Sequence, residues 1–154
     1  MKILKFRFYG IVLIVISFLK MGFLVSCSST PDVNSYSVSY SSGDRTITSS
    51  NGTLSKEQAY SLGKAWARNV GTQYLTILVD DSSSGVFAAR GDNSPWRWNI
   101  RIRMDEVNTF LTYSSEWING RINHYDRAQA TEVAKSRVEA DVEKTLNSFK
   151  TVFY

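Results

Sequence analysis

The sequence has only one cysteine and one histidine among its 154 residues. A single cysteine excludes an internal disulfide framework, and one cysteine with one histidine excludes a zinc site built from these two residue types. We therefore expect no metal and no cofactor. The chain also lacks a long apolar run. The stretch from Tyr9 to Leu19 is ended by Lys20, well short of the roughly 20 residues that a membrane-spanning helix needs.

The composition otherwise favours a folded protein. Hydrophobic residues make up 43% of the chain and aromatic residues 13%, which argues for a packed core rather than disorder. The length allows one domain of ordinary size.

The first residues have the pattern of an export signal. Basic residues at Lys2, Lys5 and Arg7 precede an apolar run, which ends in the tetrapeptide Leu24-Val-Ser-Cys27. This tetrapeptide resembles the lipobox of bacterial lipoproteins. The resemblance implies a signal peptide over 1–26, acylation (palmitate) of Cys27, and a lipid anchor in the membrane. Ser28 after the acylated cysteine would favour the outer membrane, facing the periplasm. An uncleaved anchor and ordinary secretion are the alternatives.

The net charge of +4 is concentrated in this signal. Residues 1–26 hold four of the 18 basic residues and no acidic ones. After cleavage the chain would therefore have 14 basic and 14 acidic residues and a formal net charge of zero. Because phosphate binding needs a basic excess on the folded domain, we expect no nucleic-acid partner.

Serine dominates the segment that follows. Residues 28–50 hold nine serines and three threonines, so we predict a flexible tether over residues 27–52 and a single domain over residues 53–154. The alternative for part of this segment is a short edge strand, because Tyr36, Val38 and Tyr40 alternate with serine. Arg45–Thr48 is a second candidate for such a strand.

Two capping boxes mark the helices. Ser55-Lys-Glu-Gln58 predicts a helix over about 55–70, and Asp126-Arg-Ala-Gln129 predicts a long helix over roughly 126–151. Between them we predict four antiparallel strands, with Asn119-Gly120 ending the last. The predicted strands are 74–80, 86–90, 96–104 and 107–117.

This element order predicts an α+β fold in two layers. A four-stranded antiparallel meander buries one apolar face under the two helices, as in helix-grip or TATA-binding-protein-like domains, with a ferredoxin-like fold as the alternative. Over residues 55–117 the order of helix, strand and Ser-rich turn resembles small outer-membrane lipoproteins of the BamC type. That resemblance implies a binding module without catalysis.

The strand over 96–104 carries the sharpest candidate site. Arg97, Arg101 and Arg103 alternate with Trp and Ile, so they share one face and could bind an anionic partner. A solvated strand face is the alternative. We expect Trp66, Trp96 and Trp98 in the core rather than in a ligand-stacking platform.

Catalytic chemistry has little support. His124 with Asp126 and a serine would need to converge, and the acidic pairs Asp80/Asp81 and Asp105/Glu106 flank turns. We therefore expect a non-enzymatic envelope lipoprotein that binds an envelope protein or polymer. An immunity or inhibitor lipoprotein against a toxin is an alternative, and a small envelope hydrolase is a weaker one.

Overall fold

The computed structural model describes residues 32–153, in which two helices pack against one antiparallel sheet. Residues 33–153 belong to one compact unit. In chain order the strands and helices are β1 (Asn34–Ser41), β2 (Arg45–Ser50), α1 (Lys56–Gly71), β3 (Leu75–Asp81), β4 (Val86–Asn93), β5 (Trp96–Met104), β6 (Asn108–His124) and α2 (Arg127–Val152), with a short 3-10 turn (Thr72–Tyr74) after α1.

Both helices begin at the predicted capping boxes. At α1, the Ser55 backbone N–H donates to Gln58 Oε1 at 2.9 Å, and the Gln58 N–H donates back to Ser55 Oγ at 3.3 Å. At α2, Asp126 Oδ1 accepts from the Gln129 N–H at 2.8 Å. These bonds satisfy backbone donors that have no partner inside a first helical turn.

The sheet has the strand order β1-β6-β5-β4-β3, and β2 also pairs with β6. The four consecutive strands β3 to β6 form the predicted meander without interruption. A ferredoxin-like fold would place a helix between strand pairs, whereas here both helices lie outside the meander. The predicted α+β class with two layers is confirmed.

The predicted tether is wrong from Asn34 onward. Residues 34–50 form β1 and β2, which pair with the two halves of β6. The reason is the alternation within the serine-rich segment. Val38 is 4% exposed and lies under α2 with Trp117 and Ile122, while the intervening serines face solvent. The high serine content led to the prediction of a tether, although the apolar residues alternate as they do in a strand with one buried face.

The last strand also runs further than predicted. Asn119-Gly120 does not end β6; the strand continues to His124, with Asn119 at a positive φ of 49°. The pairing with β1 shifts register between Val38 and Tyr40 at this point. Gly120 has no Cβ where the Trp117 indole lies, so the strand bends here without a clash.

The helices cover one face of the sheet. α1 packs on β4 and β5, and α2 packs on β6 and β1. The helices meet where Trp66 lies edge-on to Phe149, with ring centroids 4.8 Å apart. The opposite sheet face has no helix over it among residues 32–153 and is called the open face below.

Candidate binding surface on the open face

Strand β5 separates apolar from basic side chains across the sheet. Ile100, Ile102 and Met104 are at most 3% exposed and lie in the core. The intervening positions carry the predicted Arg97, Arg101 and Arg103, which therefore lie on the open face. The structure thus brings the three predicted arginines to one surface.

Arg97 is neutralised by a neighbour on β4. Its Nε lies 3.2 Å from Asp92 Oδ2, and Arg90 reaches the same carboxylate oxygen at 3.9 Å. Asp92 stands directly opposite Arg97 in the strand pairing. Glu116 of β6 stands opposite Arg97 on its other side, so two acidic residues accompany Arg90 and Arg97 and this end of the open face carries little unbalanced charge.

Arg101 and Arg103 differ from Arg97. Both are exposed, and neither forms an ion pair within residues 32–153. Arg103 lies over the Phe110 ring, with its guanidinium carbon 4.4 Å from the ring centroid. This cation–π contact orients the guanidinium group and leaves its N–H donors available.

The two arginines line a shallow depression of about 480 Å³. Thr112, the strand partner of Arg101, exchanges a hydrogen bond with Thr46 of β2, the two hydroxyl oxygens being 3.0 Å apart. The full lining is Asp44, Thr46, Arg101, Arg103, Phe110 and Thr112. The lining therefore contains two guanidinium groups, the single carboxylate of Asp44 and two threonine hydroxyl groups.

This arrangement suits an anionic group. Residues two apart on one strand face are separated by roughly 7 Å, so two planar guanidinium groups can hold neighbouring oxygens of one carboxylate or phosphate-bearing surface. Arginine forms such paired hydrogen bonds better than lysine because its donors are held in a fixed fork. We call Arg101, Arg103 and Thr112 with the depression around them the arginine surface.

Sequence reasoning missed half of the arginine surface. Asp44 and Thr46 fell in the segment predicted as a tether, although the alternation around Ile47 already indicated a strand there. Phe110 lies in the predicted last strand, but the contact with Arg103 depends on register across β5 and β6. Register between strands is not readable from composition.

The predicted lipidation site, Cys27, and the signal over residues 1–26 lie outside the described residues. Within residues 32–153, neither helix is long and apolar enough to cross a membrane.

His124 is placed at the end of β6 and does not form a pair with Asp126. Asp126 accepts from the Gln129 backbone at the start of α2. The His124 Nδ1 is buried and has no hydrogen-bond partner in the described part of the chain. The histidine ring instead contacts Tyr125 edge-on, with centroids 5.7 Å apart.

The acidic pair at Asp80/Asp81 divides between two structural roles. Asp80 accepts from Lys64 Nζ at 2.8 Å and from the Tyr60 hydroxyl, and these bonds hold the pKa of Asp80 below its ordinary value. Asp81 accepts from the hydroxyls and backbone of the turn serines Ser83 and Ser84, which lowers the pKa of Asp81 to about 2. The two side chains do not converge on a common site.

Asp105 of the second acidic pair also serves a turn. Its Oδ1 accepts the backbone N–H groups of Val107 and Asn108 at 2.9 and 2.7 Å. These bonds lower the pKa of Asp105, and the nearby charge of Arg103 adds to the effect. Within residues 32–153, no group of three or more His, Cys, Asp or Glu side chains is arranged to hold a metal.

The tryptophans separate into two environments. Trp66 is 6% exposed in the core, and its Nε1 donates to Ser148 Oγ at 3.0 Å. Trp96 and Trp98 are half-buried on the helix-covered face of β5, where they line a cleft described below.

Comparisons with known proteins add one distant likeness. No protein-family model matches the chain, and no curated protein matches it. A crystal structure of a DUF4468 family protein from Bacteroides ovatus ATCC 8483 is similar at 13% sequence identity and a TM-score of 0.46, covering 82% of this chain and 91% of that chain.

Proposed function

We propose that this protein is a lipid-anchored, non-enzymatic binding module of a bacterial envelope, that it faces the periplasm and that it uses no cofactor. Its arginine surface binds an anionic group on an envelope protein or polymer. The lipobox at Cys27 supports the anchor, and the sheet supports the binding surface.

The observation that carries the proposal is the contrast between the arginines of β5. Arg97 shares Asp92 with Arg90, whereas Arg101 and Arg103 are exposed on an uncovered sheet face without an ion pair in the described residues. A solvated strand face would gain from cross-strand charge pairing at these positions. Ala88 and Thr112 stand opposite Arg101 instead, so the charge is available to an external partner.

The partner's chemistry follows from this geometry. A carboxylate-rich protein surface or a polymer bearing carboxylate or phosphate groups would supply the oxygens that two neighbouring guanidinium groups can hold. Exposed charges are screened by salt over about 8–10 Å, so we expect binding to weaken as ionic strength rises.

The test removes the two charges without touching the core. Arg101→Ser with Arg103→Ser should reduce capture of the partner from envelope extracts and abolish its salt dependence, while the unfolding midpoint stays close to wild type. The matched control is Arg127→Ser with Lys144→Ser, which removes two exposed charges from α2. Equal capture by both double variants would contradict the proposed binding surface.

The anchor has its own test. Replacing Cys27 with Ala should abolish palmitate labelling and move the protein from the membrane to the soluble fraction. Unchanged labelling would end the lipoprotein proposal and leave the arginine surface to be judged separately.

A further inference from the structure

A second concave site lies on the helix-covered side of the sheet, on the face opposite the arginine surface. It is a cleft of about 200 Å³ between the two helices. Its lining comes from α1, from both ends of the β4–β5 turn, from β5 and β6, and from α2: Val70, Asn93, Trp96, Trp98, Tyr113 and Asp141. We call it the tryptophan cleft.

The walls of the tryptophan cleft combine aromatic rings with hydrogen-bonding groups. Trp96 and Trp98 are half-buried, and Asn93 is exposed at its mouth. The Tyr113 hydroxyl donates to Asp141 Oδ2 at 2.7 Å, which fixes the carboxylate across the gap between β6 and α2. The second oxygen of Asp141 receives no hydrogen bond from residues 32–153 and is available as an acceptor.

One wall of the cleft is the Trp98 indole, which lies over Gly91 of β4. The Trp98 Nε1 is buried and has no acceptor in the described part of the chain. Gly91 stands opposite Trp98 in the strand pairing, and a side chain on Gly91 would overlap the indole. Glycine at this position therefore lets the indole lie against β4 and keeps it in the cleft wall. Because the Nε1 edge is covered by Gly91, Trp98 contributes apolar ring surface to the cleft rather than a hydrogen-bond donor.

We propose that the tryptophan cleft binds one uncharged pyranose ring of a glycan. Its volume admits a single sugar ring, and the indole rings offer apolar surface for the C–H groups of that ring. Asp141 accepts from sugar hydroxyls and Asn93 both donates and accepts. The Asp141 carboxylate disfavours anionic ligands, so the occupant differs in charge from the partner of the arginine surface.

The test is a tryptophan-fluorescence titration of the full-length protein in a detergent that has no sugar headgroup. The probes are glucose, galactose, mannose and N-acetylglucosamine, with choline as a cationic comparison. At least one sugar should give a saturable change in fluorescence. Asp141→Asn, which keeps an acceptor for the Tyr113 hydroxyl, and Asn93→Ala at the mouth should each weaken that binding about tenfold.

Three results would overturn the proposal. The first is that none of the four sugars gives a saturable response, and the second is that both cleft variants keep the wild-type affinity. The third is a saturable response to choline alone, which would indicate a site for organic cations. Near-ultraviolet circular dichroism establishes that each variant is folded. Arg101→Ser with Arg103→Ser should leave sugar binding intact, so the cleft and the arginine surface succeed or fail separately.

Discussion

Replacing Asn51 with Ala should destabilise the domain more than its place in a turn suggests. Asn51 is 3% exposed, and its Nδ2 donates to the Asp105 carbonyl at 2.9 Å. Its Oδ1 accepts from the Thr109 hydroxyl at 2.6 Å, and Thr109 is completely buried. These two bonds join the segment between β2 and α1 to the β5–β6 turn.

The expected magnitude follows from what the substitution leaves behind. The Thr109 hydroxyl would lose its partner in the core, at about 1–3 kcal/mol, and the bond to the Asp105 carbonyl contributes about 0.5–1.5 kcal/mol more. We therefore expect Asn51→Ala to lower the free energy of unfolding by about 2–4 kcal/mol. The backbone bond from Asn51 N–H to the Val107 carbonyl, at 2.7 Å, is kept in the variant.

The assay is equilibrium urea unfolding, followed by tryptophan fluorescence, of wild type, Asn51→Ala, Thr109→Val and the double variant. If the two side chains act as a pair, Thr109→Val should lower the free energy of unfolding less in the Asn51→Ala background than in wild type. We expect a coupling energy of about 1 kcal/mol between the two substitutions. Strict additivity, or a loss below about 0.5 kcal/mol in Asn51→Ala, would refute the reasoning.

Two further substitutions test other parts of the fold. Gly120→Ala should displace the Trp117 indole and its edge-on contact with Trp96, lowering stability by about 1–3 kcal/mol and changing the near-ultraviolet circular dichroism; an unchanged spectrum would contradict this. Asp81→Asn tests the acid response. The pKa of Asp81 is lowered from 3.8 to about 2 in the folded protein, so its carboxylate stabilises the fold above the unfolded value, and that contribution is lost as pH falls towards 2. The difference in urea midpoint between wild type and Asp81→Asn should therefore narrow as the pH is lowered from about 5 to about 2, because the folded and unfolded pKa values of Asp81 lie in this range. A difference that stays constant over this range would contradict the assignment.

The sequence patterns predicted the helices and the meander because their signals are local. The capping residues Ser55 and Asp126 bond within their own first turns. The bounds of β5 coincide with the predicted 96–104, since its apolar and polar side chains alternate without a break.

The remaining features depend on partners distant in sequence. Strands β1 and β2 look like a polar tether until β6 supplies the other half of their hydrogen bonds. The extension of β6 past Gly120 depends on where the Trp117 indole lies, which alternation alone does not reveal. The sequence indicates only that Asn51 belongs to a turn, because its partner Thr109 is distant in the chain and contacts it only in the folded structure.

The candidate sites show the same division. The shared face of Arg101 and Arg103 follows from strand alternation, and the sequence alone predicts it. Which arginine is neutralised depends on the register that brings Asp92 opposite Arg97. The tryptophan cleft joins five different strands and helices or their ends, so no single stretch of sequence indicates it.

The most direct test of the proposed function is site-specific photo-crosslinking in cells from the arginine surface. A photoreactive residue at Thr112 lies between Arg101 and Thr46 on the open face, and one at Ser136 on the exposed side of α2 is the control. We predict an adduct with an anionic envelope partner from position 112 only, lost when Arg101 and Arg103 are replaced by Ser. The same adduct from position 136, or an adduct from position 112 that survives the double replacement, would contradict the account.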